Sequence, residues 1–349
     1  MGTRPDITFN RQGGGLGRPL PGQDHYSGFI VYEDSLPTGF GTDKIKQVFS
    51  IDEAEALGVT SDDAVFKFAH YHVSEFFRMN PKGVLWLMVE PVPAVPASRT
   101  WSEITEIQNF SEGLIRQVGI FDDVAVFDDA DLTKIQVVIV ALQTDKQPLS
   151  VVLGSDISGT ADLTALSDLR ALAAPNVSVC IAESGSVVAQ ALVTDSSKSL
   201  TSVGNCLGTI SLAQVNEDIA WPKKFRIDNG EEMAIALIAN GDNIRDLSSG
   251  LLDSIHDKGY IIPRKFVGSA FTYYTDSPTA VAVTSDFAYI ENNRTIDKAI
   301  RGLRIGVQPE LNSPLKVNSD GTLSDETIAV FIDLSKKPLQ DMQNSNEIS

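Results

Sequence analysis

Apolar residues along the chain form short continuous runs, separated by segments in which apolar residues recur at helical spacing. The runs have the length of buried strands. They predict strands at 29–32, 48–51, 84–89, 124–127, 149–153 and 177–181, and the segments between predict helices at 62–77, 103–118, 131–142 and 163–173. Because single helices separate strands that are apolar on both faces, the pattern predicts an α/β fold with a mainly parallel central sheet and helices on both faces.

After about residue 241 the pattern changes to that of an α+β C-terminal lobe. It predicts a helix at 247–255, strands at 260–262 and 266–274, a long helix at 286–307 and a final helix that begins after Ser324. Ser324 is a good N-cap for that helix, and the two acidic residues after it complement the helix dipole.

The final helix has an apolar stripe that we expect to be its buried face. The stripe consists of Ile328, Phe331, Ile332, Leu339 and Met342. Pro338 lies within the same helix and is expected to kink or interrupt it, since proline removes a helical hydrogen bond.

The first 24 residues are typical of an extended N-terminal arm. Glycine and proline are concentrated between residues 13 and 22, and only 6–10 resembles a short strand. Fully extended, the arm would span roughly 80 Å, against a radius of gyration of about 20 Å for a compact chain of this length. We predict an arm at 1–24, an α/β domain at 25–240 with room for an inserted lobe at about 95–240, and a C-terminal assembly domain at 241–349.

The charge of the chain excludes several classes of partner. Asp and Glu outnumber Lys and Arg by 46 to 28, which gives a formal net charge of −18. Nucleic acid and anionic membrane surfaces are therefore not expected as partners. The longest apolar runs fall far short of the ~20 residues that cross a bilayer. Cys180 and Cys206 form no CxxC pair and are expected to be buried thiols of a reducing compartment.

Few residues have the spacing of a catalytic or ligand-binding site. The glycines at 13–17 are followed by prolines rather than by a helix, so they do not form a phosphate-binding loop. His70 and His72 would lie about 200° apart on the predicted helix, too far apart to bind one metal ion. We therefore expect no cofactor and no metal.

The turn at 154–159 follows a predicted strand, where hydrolases keep their nucleophile. Neither Ser155 nor Ser158 has glycines at both flanking positions of a nucleophile elbow, and only His256 lies downstream as a base. The chain is therefore predicted not to be an enzyme. An α/β enzyme or nucleotide-binding protein that uses this turn is the alternative.

Four basic residues form a stripe on the helix predicted at 286–307. They are Arg294, Lys298, Arg301 and Arg304. The stripe is unexpected in so acidic a chain. Pairing of Asp297 with Arg301 on a solvated face would explain it, at about 0.3–0.5 kcal/mol per pair. The other interpretation is a docking stripe for an acidic partner or for a neighbouring copy of the chain.

Two C-terminal segments carry a resemblance to a known family. They are SDFAYIENNRTIDKA at 285–299 and LNSPLKVNSDGTLS at 311–324, followed by the long final helix. The chain resembles the sheath protein of contractile phage tails and related injection systems, and the similarity extends more faintly to FSIDEAEALG at 49–58 and to the N-terminal arm. The middle of the chain is poorly covered.

The resemblance implies a structural role. Subunits of that family polymerise around an inner tube, exchange strands through terminal arms, and contract to drive the tube through an envelope. The donated strand would be the inter-subunit arm Asp6, Ile7, Thr8, Phe9 and Asn10. The implied partners are copies of the chain in a helical sheath, the inner tail tube protein, and baseplate and terminator proteins. The implied location is a virion tail or injection-system particle assembled in the bacterial cytoplasm.

The resemblance also sets an expectation for the C-terminus of the chain. Family members normally continue past the final helix into a C-terminal strand, so a chain ending at residue 349 is expected to be shortened relative to them. A surface or adhesion protein carried on a particle would also have an anchoring arm, but it would form no tube-sized polymer.

Overall fold

The computed structural model describes residues 23–91, 99–122, 127–228 and 230–348. The strands in these ranges are β1 (Tyr26–Glu33), β2 (Ile45–Val48), β3 (Val84–Pro91), β4 (Gln117–Phe121), β5 (Ser150–Gly154), β6 (Ala173–Ala174), β7 (Val177–Cys180), β8 (Ala182–Ser184), β9 (Ala236–Ile238), β10 (Tyr260–Ile261), β11 (Pro263–Lys265), β12 (Thr272–Tyr274) and β13 (Ala280–Val281). The α-helices are α1 (Ile51–Ala56), α2 (Lys67–Met79), α3 (Ser102–Phe110), α4 (Asp129–Thr144), α5 (Val187–Ser196), α6 (Val203–Leu212), α7 (Ser249–Asp257), α8 (Ile290–Val307) and α9 (Asp325–Asn344).

The centre of the fold is a seven-stranded sheet in the order β10-β7-β5-β4-β1-β3-β2. All neighbouring strands are parallel except the edge strand β2, which is antiparallel to β3. Strand β3 lies on one side of β1, and strands β4, β5, β7 and β10 lie on its other side. The predicted α/β class with a mainly parallel sheet is therefore confirmed.

Helices cover both faces of this sheet because successive side chains along a strand point alternately into two apolar clusters. In β1, Phe29 and Val31 belong to the cluster that includes α2 and α6, and Ile30 and Tyr32 belong to the cluster that includes α3 and α4. These four side chains are at most 2% exposed. A strand buried on both faces is a near-continuous apolar run, which is why the sequence pattern located it.

Helices α2 and α6 approach unusually closely at two glycines spaced four residues apart. A Cβ at Gly204 would lie 2.3 Å from the carbonyl oxygen of His72, and one at Gly208 would lie 2.6 Å from that of Phe76. The approach buries His72 completely, and burial lowers its pKa to about 3. The imidazole is therefore neutral and part of the core, whereas His70 pairs with Glu55 at 2.9 Å.

Both cysteines are buried free thiols, as expected. Burial is the largest of the effects that raise the pKa of Cys206, followed by the nearby Cys180. A buried protonated thiol behaves as a small apolar residue.

The predicted helix at 103–118 is shorter in the structure. Helix α3 ends at Phe110, and residues Gln117–Phe121 form β4. Glu112 and Gly113 have φ values of 56° and 74°, which a right-handed helix does not accommodate. The chain turns back there and enters the sheet. Of the strand predicted at 124–127, residues 124–126 lie outside the described residues.

The predicted helix at 163–173 is replaced by two single turns of 3-10 helix, Leu163–Ala165 and Leu169–Ala171. Asp162 accepts a hydrogen bond from the N–H of Thr164, and Asp168 accepts one from the N–H of Arg170. Such local side-chain bonds compete with continuous helix, so the prediction was wrong here.

Contacts divide the chain into two units, Gln23–Asp297 and a second that contains Lys298–Ser349. The first extends beyond the predicted boundary at residue 240, because β10 pairs with β7 in the central sheet. The second contains the end of α8, a 3-10 turn at Gln308–Glu310, and α9.

The close contact between α2 and α6 generates a stability prediction. Gly204→Ala places a Cβ against the rigid backbone of His72, so we expect it to lower the free energy of unfolding by about 1–3 kcal/mol, the usual cost of overpacking. Gly159→Ala is the matched control, because no atom lies within 4 Å of the position that its Cβ would occupy. Urea denaturation of both variants measures the difference, and equal stabilities would contradict the close packing.

A second prediction concerns Glu291 in the first turn of α8. Burial, only partly offset by a hydrogen bond from Ser277, raises its pKa to about 7 from 4.5. The folded state therefore binds the proton more tightly, and stability falls as pH rises through this window. We expect Glu291→Gln to lose less stability than the wild type between about pH 5 and about pH 8 in denaturant titrations. The exposed Glu106→Gln controls for the lost charge, and an unchanged pH slope in Glu291→Gln would refute this assignment.

Candidate assembly surface

The turn considered as an enzyme site borders a cavity of about 450 Å³ at the carboxyl ends of β5, β7 and β10. Ser155 lines the cavity, together with Tyr260 and the start of α4. Two carboxylates that line it, Asp128 and Asp156, are engaged in local hydrogen bonds. Asp128, at the start of α4, caps that helix through a reciprocal pair of hydrogen bonds with Asp131.

The carboxylate of Asp156, in the same turn, is also engaged in local hydrogen bonds. It accepts hydrogen bonds from the N–H groups of Ser158 and Ser199, both at 3.0 Å, and pairs with Lys198. Burial alone would raise its pKa, but these bonds lower it to about 2. His256 bonds to Asp276 at 3.1 Å and is not among the residues that line the cavity. The contacts of Asp156 thus fix the turn to Lys198 and Ser199.

Among the described residues, no group of three or more His, Cys, Asp or Glu side chains is placed to hold a metal ion. In the same ranges, none of the helices combines the length and the apolar character needed to span a membrane.

Arg294, the first residue of the predicted docking stripe, is only 4% exposed. Its guanidinium donates hydrogen bonds to the backbone oxygens of Asp24, Ala213 and Gln214, at 3.1–3.2 Å. Burying an arginine is costly unless its donors are hydrogen-bonded, and these carbonyls accept three hydrogen bonds from the guanidinium. Arg294 thus anchors the start of α8 within its own unit and is not presented to a partner.

The remaining residues of the stripe lie in the second unit. Lys298 donates to the carboxylate of Glu347, which is only 9% exposed. Glu347 is fixed in turn by the C-terminal cap of α9, where its N–H bonds to the carbonyl of Met342 and Asn346 adopts a φ of 57°. Arg301 is half-buried and Arg304 is exposed. Their docking role stays a prediction.

Within the second unit, α8 and α9 pack closely through Gly302 and Gly306. A Cβ at Gly302 would lie 3.0 Å from the Cβ of Pro338, and one at Gly306 would lie 2.9 Å from the carbonyl oxygen of Leu334. Glycines four residues apart share one helix face, so the two backbones can approach there. Pro338 does not interrupt α9, which is continuous from Asp325 to Asn344.

The apolar stripe of α9 is largely open, which corrects the prediction that it is buried. Ile328 and Ile332 are 42% and 46% exposed, Phe331 and Leu339 are half-buried, and only Met342 is buried at 4%. The amphipathic pattern located the stripe correctly, but within the described residues no element covers it.

The open stripe forms an apolar groove of about 460 Å³. It is lined by Leu323, Ile328, Phe331, Ile332, Ser335, Lys336 and Leu339. Exposed apolar surface with a charged rim is typical of protein–protein contact sites.

A short hairpin borders this groove at Leu323. The N–H of Asn318 bonds to the carbonyl of Thr322 at 2.8 Å, the N–H of Ser324 bonds to that of Lys316 at 3.0 Å, and Val317 lies opposite Leu323. In an antiparallel ladder the backbone groups of alternate residues point outward, so those of Val317 face the free edge. Its side chain is 60% exposed. Such an edge can pair with a further strand.

The predicted inter-subunit arm, Asp6 to Asn10, lies outside the described residues. The hairpin and the groove lie side by side, and the sequence did not predict a site there. Arg294 is buried and so is not part of the exposed basic stripe that the sequence predicted.

Sequence comparison gives a family for the whole chain. A model described as "DUF2586, N-terminal domain" matches residues 4–278, and one described as "DUF2586, C-terminal domain" matches residues 286–349. No curated protein matches the sequence.

Several solved structures share the fold. A chain of the anti-feeding prophage (AFP) baseplate is 15% identical with a TM-score of 0.58, and the alignment covers 99% of this chain and 84% of that one. A chain of the sheath complex of the PVC extracellular contractile injection system, in its contracted state, is 13% identical with a TM-score of 0.59. That alignment covers 99% of this chain and 83% of the other. The sheath tail protein from Listeria innocua is 9% identical with a TM-score of 0.56, and the alignment covers 92% of this chain and 84% of that protein.

These matches confirm the resemblance predicted from the C-terminal segments and extend it to the middle of the chain. At such low identities they establish the fold. The chain belongs to the DUF2586 family and has the fold of contractile tail sheath proteins.

Proposed function

We propose that this chain is a structural subunit of a contractile sheath, which polymerises around an inner tube and contracts to drive that tube through an envelope. The observation that carries the proposal is the surface of the second unit, where an open hairpin edge borders an apolar groove. Within the described residues of a single chain, no element covers that groove. The fold shared with sheath proteins supports the proposal, and no catalytic activity or cofactor is part of it.

The proposed link between subunits is a strand donated by the N-terminal arm. Asp6 to Asn10 would pair with the free edge at Val317 of a neighbouring copy, with each backbone hydrogen bond contributing about 0.5–1.5 kcal/mol. In an extended strand Ile7 and Phe9 point to the same side, so both could enter an apolar groove next to that edge. The glycine-rich stretch at 13–22 would act as the hinge that lets subunits rotate while they stay linked.

The remaining partners follow from the same proposal. The sheath would surround an inner tail tube protein and end at baseplate and terminator proteins, in a virion tail or injection-system particle assembled in the bacterial cytoplasm. Lys298, Arg301 and Arg304 are candidates for contact with an acidic partner such as the tube or a neighbouring copy. Nucleic acid and membrane are not proposed as direct partners of a chain with a net charge of −18.

Assembly is predicted to require both the arm and the N–H of Val317. Negative-stain electron microscopy of the concentrated full-length chain, at low and high salt, should show rings or hollow tubes. Deletion of residues 1–22 should abolish them, as should Val317→Pro, because proline has no N–H to donate. Val317→Thr is the matched control, since it keeps the N–H and the β-branched side chain.

Tubes that persist without residues 1–22 would contradict the role of the arm. A full-length chain that stays monodisperse in every condition would contradict the sheath proposal itself.

Assembly is also predicted to require the groove on α9. Ile332→Asp places a charge in the groove and should reduce the fraction of protein that sediments as polymer by about tenfold or more, because burying an unpaired charge at an interface is costly. Val330→Asp is the control, since Val330 is equally exposed, at 47% against 46%, and does not line the groove. Both monomers should unfold within about 0.5 kcal/mol of the wild type. Equal sedimentation of the two variants would show that the groove is not an interface.

A further inference from the structure

A second exposed apolar surface lies in the first unit, at the tip of the hairpin formed by β11 and β12. Phe266, Val267 and Phe271 are 36%, 107% and 40% exposed. Lys265 donates a hydrogen bond to the carbonyl of Ala234, and the next residue, Ile235, is 51% exposed. We call residues 264–271 the aromatic tip. Clustered exposed aromatic residues on a hairpin are typical of contact surfaces rather than of solvated loops.

The aromatic tip is held in one conformation by its own contacts. Gly268 has a φ of 80°, which glycine adopts without strain, and the N–H of Ser269 bonds to the carbonyl of Phe266 at 3.0 Å. The ring of Phe266 packs against that of Tyr273, with 5.5 Å between centroids. A preorganised surface loses little conformational entropy when it binds, which favours contact.

Cations stack on both exposed rings. The guanidinium of Arg226 lies 3.7 Å from the centroid of Phe271, and that of Arg264 lies 4.5 Å from the centroid of Phe266. Arg226 also forms a bidentate pair with Asp228 at 2.9–3.0 Å. A guanidinium stacked on an aromatic ring keeps its donor edge available for a carboxylate.

The charges around the tip are not balanced. Burial, followed by the neighbouring Arg245, lowers the pKa of Lys265, and the neighbouring Asp228 offsets part of this effect. Within the part of the chain that the structure describes, neither Arg245 nor Arg264 forms an ion pair. The tip is thus a local basic and aromatic surface on a chain whose net charge is −18.

We propose that the aromatic tip docks against an acidic surface of a second copy of this chain. Another copy is the occupant that charge complementarity favours, because its surface is predominantly negative. The exposed rings would supply the apolar centre of the contact, and Arg264 would bind a carboxylate of the partner at its rim. This contact rests on the proposed sheath function, and it is separate from the hairpin and groove of the second unit.

Photo-cross-linking from the tip tests this contact directly. Val267→Cys in the full-length chain accepts a benzophenone-maleimide probe, and Cys180 and Cys206 are buried and protected from it. Protein of natural isotopic composition is mixed with ¹⁵N-labelled protein, irradiated and analysed by mass spectrometry. We expect cross-links between heavy and light chains at peptides rich in Asp and Glu. Adding Arg264→Glu should lower their yield by at least about fivefold.

Val283→Cys, at another exposed position, is the control and should give few cross-links between chains. Cross-links only within chains, or a yield that Arg264→Glu leaves unchanged, would overturn the proposal. Polymers without cross-links from position 267 would refute the tip contact and leave the sheath function standing. Heavy–light cross-links from a chain that never polymerises would refute the sheath function and leave the tip contact standing.

Discussion

Gln23–Asp297 encloses an extensive apolar core, whereas among the described apolar side chains of Lys298–Ser349 only Met342 is buried. The first unit buries both faces of a parallel sheet, so its shape is fixed by its own core. The described part of the second unit has about 50 residues, too few to enclose a core easily, and the apolar stripe of α9 stays open. Covering the open apolar surface of the second unit would lower the free energy, so this difference between the units favours association.

The two units suit the two demands on a proposed sheath subunit. The first unit has close helix packing at Gly204 and Gly208, and a subunit proposed to transmit force requires such dense packing. The open hairpin edge and groove of the second would link neighbours through backbone hydrogen bonds and apolar contact. Copies with a net charge of −18 repel one another at long range, so a polymer needs compensating basic surfaces. Arg264 and its neighbours in the aromatic tip offer one such surface.

Much of the fold could be predicted from the sequence, because doubly buried strands such as β3 and β5 are continuous apolar runs. The errors arose where local chemistry outweighed periodicity, as where Asp162 and Asp168 replace a helix by two turns. The assembly surface was harder to predict. The amphipathic stripe of α9 was visible, but whether Ile328 and Ile332 are covered depends on elements far away in sequence. Arg294 looked exposed because carbonyl partners leave no sequence signal. The spacing of Gly302 and Gly306 is a sequence signal for the close contact between α8 and α9.

We propose that neighbouring copies complete the second unit, and cryo-electron microscopy of the polymer formed by residues 1–349 tests this proposal. We expect density for residues 1–22 that leaves one subunit and pairs with the hairpin edge at Val317 of the next, with the groove on α9 filled at the same contact. A polymer in which that edge and that groove both face solvent would contradict it.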